Sequence, residues 1–179
     1  MPGRVHAPVR SVVTGGPGTG KSTLLEELAR RGIATETEVA RAILQAPGGM
    51  ALRARDPAGF ARAMFEAELA AWHGAQRRDG PTVFDRGFPD IAGFLALEGL
   101  PVPPEIADAC RDLRYDGPVF RAPPWQAIYR PDAQRIQDWD AALASDAAVT
   151  AAWRTYRYEP IDLPLADVSD RADFVLARL

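Results

Sequence analysis

Residues 11–32 read SVVTGGPGTGKSTLLEELARRG, and within them residues 15–22, GGPGTGKS, match the spacing G-x-x-x-x-G-K-[ST] in full. Ahead of this loop, Val9–Thr14 is rich in β-branched residues and runs into glycines, the pattern of a buried strand. Behind it, Leu24, Leu25 and Leu28 fall on one side of a helix that begins near Lys21 and stops at Gly32. That strand–loop–helix order separates a phosphate-binding loop from a chance glycine-rich turn. It predicts that Gly15, Gly16, Pro17, Gly18, Thr19 and Gly20 wrap the phosphates of a nucleotide, the glycines letting backbone N–H groups turn inward, at the positive end of the helix. Lys21 is placed to reach the β- and γ-phosphates, Ser22 to hold Mg²⁺ through its hydroxyl, and Thr23 to touch the α-phosphate.

Around the loop, the composition narrows the field. A chain of 179 residues that is 47% hydrophobic has the size and the apolar content of one domain with its own core. A net charge of −3 argues against general binding to nucleic acid or to membrane surfaces. MPGRVHAPVR lacks an apolar run of signal-peptide length, and no later stretch reaches the length of a bilayer span, so the expectation is a soluble cytoplasmic domain. Cys110, the lone cysteine, lies in the helix-like EIADACRDL and reads as a small buried residue rather than a reactive thiol. His6 and His73 are far apart and leave no Cys/His zinc set. Lys21 is the only lysine among 21 basic residues, the rest being arginines. In a phosphate loop a compact ammonium on a flexible stem fits where a broad guanidinium does not.

Outward from the loop, strand-like and helix-like segments alternate. Ile33–Thr37 reads as a second strand, Glu38–Gln45 as a helix, Pro47–Gly59 as a loop and Phe60–Gln76 as a long helix whose Phe65, Leu69 and Trp72 share a core-facing side. Pro81–Asp85 reads as a third strand, followed by helices near Ile91–Glu98 and Pro104–Leu113, and Pro118–Arg121 as a fourth. A helix from about Ala133 to Tyr156, a last strand near Glu159–Leu163 and a helix over Asp167–Leu179 complete the pattern. The alternation predicts a parallel sheet of about five strands with helices on both faces, all in one domain over residues 1–179.

A phosphate loop needs a carboxylate opposite it, at the end of a hydrophobic strand, to hold the Mg²⁺ shell, and TVFDRG puts Asp85 there. The same residues also suit a plain strand-ending turn. Guanine readers of the Asn-Lys-x-Asp or Thr-Lys-x-Asp type are excluded, because the chain has no asparagine and no lysine beyond Lys21. A motor ATPase carries Asp-Glu at the end of the third strand, whereas here Arg86 follows Asp85.

From Val12 onward the chain resembles a bacterial family of predicted P-loop ATPases, the "AAA domain" family, related to ribosylnicotinamide kinase and other P-loop small-molecule kinases. The stretches that carry the resemblance are VVTGGPGTGKSTLLEEL, the E-x-A-R of Glu38–Arg41, FDRGFPD at residues 84–90, VFRAPPWQAIYRPDAQR at residues 119–135, and the closing DRADFVLARL. The resemblance implies a P-loop NTPase fold, ATP and Mg²⁺ as cofactors, and a lid over roughly residues 122–136. It nominates Glu38 and Asp85 as the carboxylates that serve the acceptor hydroxyl and the metal, with Lys21 as the phosphate cation. It makes Arg130 and Arg135 the lid arginines that neutralise charge on the transferred phosphoryl group, with Arg121 a further candidate, although each equally suits a solvated surface position. Glu38 equally suits a helix's first turn, where an acid favours the dipole. Arg41, one turn on, either holds an anionic substrate group or pairs with Glu38. Arg86 contacts the acceptor, holds Glu38 in place, or forms a structural ion pair. Trp125 and Tyr129 either stack on a base or pack the lid, and Arg53 and Arg55 either meet an anionic acceptor or sit in a solvated loop.

Two functional classes follow. One is an ATP- and Mg²⁺-dependent kinase of a small hydroxylated metabolite, with a nucleotide and an unidentified acceptor as its only partners and neither nucleic acid nor membrane involved. The other is a nucleotide-dependent regulatory ATPase that acts on a protein partner.

Overall fold

The computed structural model describes residues 9–129 and 138–179. Five strands form one sheet, β1 (Arg10–Thr14), β2 (Ala34–Glu36), β3 (Thr82–Asp85), β4 (Val119–Arg121) and β5 (Ile161–Asp162), in the order β2-β3-β1-β4-β5. Every pairing is parallel; Val13 stands opposite Asp85 and Phe120, and Thr14 opposite Arg121. Helices α1 (Lys21–Arg30), α2 (Val39–Gln45), α3 (Gly49–Arg55), α4 (Pro57–Ala75), α5 (Phe88–Leu97), α6 (Pro104–Asp112), α7 (Trp139–Thr155) and α8 (Val168–Leu176) cover it.

Strand alternation sorts the core into two layers. Val13, Val83 and Phe120 face α1 and α8, where they meet Leu24, Leu28, Ala172 and Val175. Val12, Phe84 and Val119 face the other way, into a larger cluster built from α4, α5, α6 and α7 that includes Phe60, Phe88, Ile91 and Trp153. Trp153 is fully buried, and its Nε1 donates to Thr14 Oγ1 (3.0 Å) and to Asp90 Oδ2 (3.0 Å), so the indole finds polar partners at the ends of β1 and α5.

The structure carries the predicted α/β architecture and corrects one segment. Residues 47–59, read as a loop, contain α3, because Gly48 at φ 81° turns the chain out of α2 and Gly49 is buried tightly against the carbonyl of Ile43. Asp56 then caps α4 by accepting from the N–H of Gly59 (2.8 Å), with Pro57 at the first helical position. The two-glycine punctuation had masked a helix of seven residues. Cys110 is buried, as expected, and burial pushes its thiol up to about 12, where it stays protonated. Among the described residues no helix is long and apolar enough to cross a membrane.

Candidate functional site

The loop between β1 and α1 is pinned from behind before it can hold anything in front. Gly15 has φ 128°, a conformation that disfavours side chains, and a Cβ there would run into the carbonyl oxygen of Ala122. The N–H of Gly16 donates to Asp146 Oδ1 on α7 (3.3 Å), and Asp146 in turn takes both Nε and Nη2 of Arg121 (3.3 and 2.6 Å). Arg171 on α8 donates from Nη1 to the carbonyl of Thr19 (2.9 Å). Gly20, at φ 79°, ends the loop and starts α1 with no side-chain cap, which leaves the first N–H groups of the helix to a ligand.

Pro17, Gly18, Thr19, Gly20, Lys21, Ser22 and Thr23 line a cavity of about 160 Å³, closed on its other side by Glu38, Arg41, Leu44 and Arg86. Gly15 and Gly16 stand behind this cradle rather than in its wall. Lys21 is buried, with Nζ donating to the carbonyl of Gly16 (2.6 Å) and to Thr19 Oγ1 (3.4 Å). Burial, reinforced by the nearby Arg86 guanidinium, lowers its pKa to about 8, so at neutral pH it remains a cation with much of its hydration removed.

A left-handed backbone at Arg86 (φ 75°), uncommon outside glycine, folds its guanidinium back over the loop. There Nη1 donates to the carbonyl of Gly15 (2.9 Å) and to Asp90 Oδ1 (3.1 Å), while Nε donates to Glu38 Oε1 (3.0 Å). Asp90 is buried and accepts from Thr14 Oγ1 (2.6 Å) and from the N–H of Gly87 (3.0 Å), so one carboxylate ties β1, the β3 exit and α5 together. Glu38 occupies the N-cap position of α2, yet its carboxylate makes no capping hydrogen bond and turns to Arg86 instead. Burial raises its pKa, but Arg86 and Lys21 outweigh that and hold the group below the ordinary carboxylate value. Arg41 lies exposed at the mouth of the cradle and makes no ion pair among the described residues.

Asp85 is buried at the end of β3, and its Oδ1 has no hydrogen-bond partner. Burial raises its pKa to about 6, against the pull of Lys21. An orphaned buried carboxylate oxygen beside a phosphate loop is a place for a cation. No group of three or more His, Cys, Asp or Glu among the described residues could hold a metal alone. Asp85 and the Ser22 hydroxyl could hold a cation there, a hard oxygen pair of the kind that suits Mg²⁺ when phosphates and water complete the shell.

A second cavity, about 280 Å³, opens on the other side of Glu38 and Arg86. Pro17, Glu38, Leu44 and Arg86 belong to both walls, so the two spaces adjoin. The rest of this one is largely apolar, with Phe60, Met64, Ile91 and Phe94 among its lining. Arg53 also lines it, its guanidinium 5.3 Å from the Phe94 ring centroid and 3.6 Å from Glu98. Arg55, one of the two loop arginines considered above, is exposed at the end of α3.

Sequence reasoning brought Lys21, Ser22, Glu38, Arg41, Asp85 and Arg86 to one place, and the structure gathers them there. It missed Asp90, Asp146, Trp153 and Arg171, which hold the loop from other elements. Only Asp90 had a local signal, a carboxylate one turn after Arg86 at the start of a helix. Arg121 turns out to be engaged by Asp146 and Asp162 rather than aimed at the cradle. Arg130 and Arg135, with residues 130–136 of the expected lid, lie outside the described residues; of its aromatics, Tyr129 packs edge-on against Trp139 at 5.3 Å.

A family model described as "AAA domain" matches residues 10–171. No curated protein sequence matches the chain. Among solved structures, deoxyadenosine kinase from M. mycoides with products dCMP and a flexible dCDP bound superposes with a TM-score of 0.70 at 13% identity, over 94% of this chain and 97% of that one. The same kinase with bound dATP gives 0.68 at 13% identity, over 94% and 98%. NadR in complex with NR gives 0.73 at 19% identity, over 98% of this chain and 52% of NadR. At such identities the likeness is one of fold, a parallel-stranded α/β fold built around a P-loop.

Proposed function

We propose that this chain, which belongs to the AAA-domain family, is an ATP- and Mg²⁺-dependent kinase that transfers the γ-phosphoryl group to a hydroxyl of a small, nucleoside-like metabolite. The observation that carries this reading is the pair of adjoining cavities, one polar and loop-lined, the other larger and mostly apolar, with Glu38 and Arg86 between them. A protein that only hydrolyses nucleotide needs the first cavity and has no use for the second. The kinase folds it resembles add support, since the deoxyadenosine kinase and NadR structures hold dCMP and NR respectively.

The residues divide the work by chemistry. Lys21 and the N–H groups of residues 18–22 hold the β- and γ-phosphates. Ser22 and Asp85 would hold Mg²⁺, which when bound offsets charge on the phosphate oxygens. Arg86 fixes Glu38 and keeps it ionised at the boundary of the two cavities. An acceptor hydroxyl in the apolar cavity then meets a carboxylate that orients its oxygen along the line of attack. Its oxygen forms the new bond to the γ-phosphorus as the bond from phosphorus to the β,γ-bridging oxygen breaks. ADP leaves, and the hydroxyl proton passes to Glu38. Arg41 at the mouth, and the lid arginines Arg130 and Arg135, would meet the charge that spreads over the transferred group.

The test is ATP consumption with Mg²⁺ across nucleosides, nicotinamide riboside, sugars and amino-sugars, beside an acceptor-free control. Stimulation by one compound, with a phosphorylated product, is the expected result. Uniform slow hydrolysis across the panel would instead favour a regulatory ATPase that works through a protein partner.

A further inference from the structure

Glu68 stands in the middle of α4 with 3% of its surface exposed, among residues that are otherwise apolar, and it lines the larger cavity. Its Oε1 accepts from the hydroxyl of Tyr115 (2.6 Å), and that hydroxyl accepts from the N–H of Phe88 (3.3 Å). The chain of bonds from Phe88 through Tyr115 fixes one carboxyl oxygen and stops there. Oε2 makes no hydrogen bond among the described residues, although it belongs to a side chain in a cavity wall. A carboxyl this deep in the fold is unfavourable unless its second oxygen also finds a partner. A core that served only stability would place an apolar residue here, and an anchor for Tyr115 needs only Oε1.

We infer that Glu68 is the specificity-determining residue of the acceptor cavity, pairing through Oε2 with a hydrogen-bonding edge of an otherwise apolar ring carried by the acceptor. The inference rests on the reading of this cavity as the acceptor site and names the acceptor's class: a ring-bearing alcohol of nucleoside type, with a polar atom on the ring. A volume of about 280 Å³ suits one such molecule rather than an oligomer. Phe60 and Phe94, packed edge-to-face at 5.5 Å, supply apolar ring surface in the same wall. The sense of the bond follows from protonation. Burial raises the Glu68 pKa to about 8, so at neutral pH the group is mostly the uncharged acid. With Tyr115 donating to Oε1, the acid proton sits on Oε2 and is offered to the cavity. The matching ring atom is then an acceptor, a carbonyl oxygen or a ring nitrogen.

The experiment is calorimetric titration of the full chain with the four ribonucleosides and with phenyl C-riboside, which keeps the sugar and has no polar ring atom. At least one ribonucleoside is expected to bind about tenfold or more tightly than phenyl C-riboside, since a site built around a hydrogen bond rejects the analogue that lacks it. Glu68→Met should bring that ratio within about twofold, and Glu68→Gln, which still offers a donor, should keep most of it. If Glu68→Met melts below the assay temperature, Tyr115→Phe serves instead, releasing Oε1 and lowering the preference severalfold. Equal binding of phenyl C-riboside and every ribonucleoside, no binding by any of them, or a preference that survives both Glu68→Met and Tyr115→Phe overturns the inference. Phosphoryl transfer is read separately: ring discrimination without transfer leaves Glu68 in this role and removes the kinase, while transfer to a ringless acceptor does the reverse.

Discussion

The phosphate cradle and the apolar cavity share a wall at Glu38 and Arg86 but are built on opposite plans. The cradle is nearly continuous in sequence, with residues 17–23 supplying one whole side, and backbone conformation sets its shape. The cavity draws on α2, α3, α4, α5 and α7, with lining residues from Pro17 to Val149, and side-chain packing sets its shape. A loop of fixed backbone grips what all nucleotides have in common, their phosphates. A pocket of packed side chains can distinguish one acceptor from another. Arg86 belongs to both plans, since the guanidinium that ties the loop through Gly15 also fixes Glu38 and Asp90.

The sharpest way to separate the two regions is Lys21→Ala. Loss of the only lysine is expected to lower nucleotide turnover on the order of a thousandfold, while riboside binding in the neighbouring cavity persists. Turnover at the wild-type rate in that variant would falsify the role of the cradle. Glu38→Gln addresses the shared wall: kcat is expected to fall about a hundredfold, with nucleotide affinity changed only a few-fold. An equal loss in both parameters would mean that Glu38 shapes the cradle and leaves the acceptor alone.

Glu68 gives the cavity a signature in stability. Its pKa is raised by burial from 4.5 to about 8, with Asp90, Glu36 and Asp85 adding to the shift, so between those values the fold holds a proton that the unfolded chain has lost. This contribution is complete below pH 4.5 and declines as pH rises towards 8, by at most about 1.4 kcal/mol per unit. Thermal melts from pH 5 to pH 8 should show that slope in the wild type and a flatter profile in Glu68→Gln. Identical profiles would assign the slope to other groups. The smallest effect belongs to Met50, which lines the cavity but is 44% exposed. Met50→Ala should raise the acceptor KM a few-fold and leave nucleotide affinity and melting temperature nearly unchanged. A change in nucleotide affinity instead would shift Met50 to the other side of the wall.

The cradle was legible because its signal is local. A strand, a glycine loop, a lysine and a helix lie within 22 consecutive residues, and backbone geometry alone carries them to one place. Asp85 was legible as the carboxylate that ends a hydrophobic strand, and Glu38 through the family resemblance; they meet because parallel strands end on the same edge of the sheet, beside the loop between β1 and α1. α3 was hidden by Pro47, Gly48 and Gly49, which resemble loop punctuation until Gly49 is seen packed against Ile43. Glu68 and Asp146 looked like ordinary helical acids, since nothing in a single helix says which of its carboxylates is buried.

The sequence by itself determined the fold class, the phosphate loop and the exclusion of a lysine-based guanine reader, because each depends on residue types at short, fixed spacing. Only the tertiary structure decided that a largely apolar cavity adjoins the loop, that Arg86 links the two, and that Glu68 lines that cavity from the buried middle of α4. Those features arise where helices far apart in sequence pack on one face of the sheet. The spacing of residues along the chain does not encode which side chains meet there.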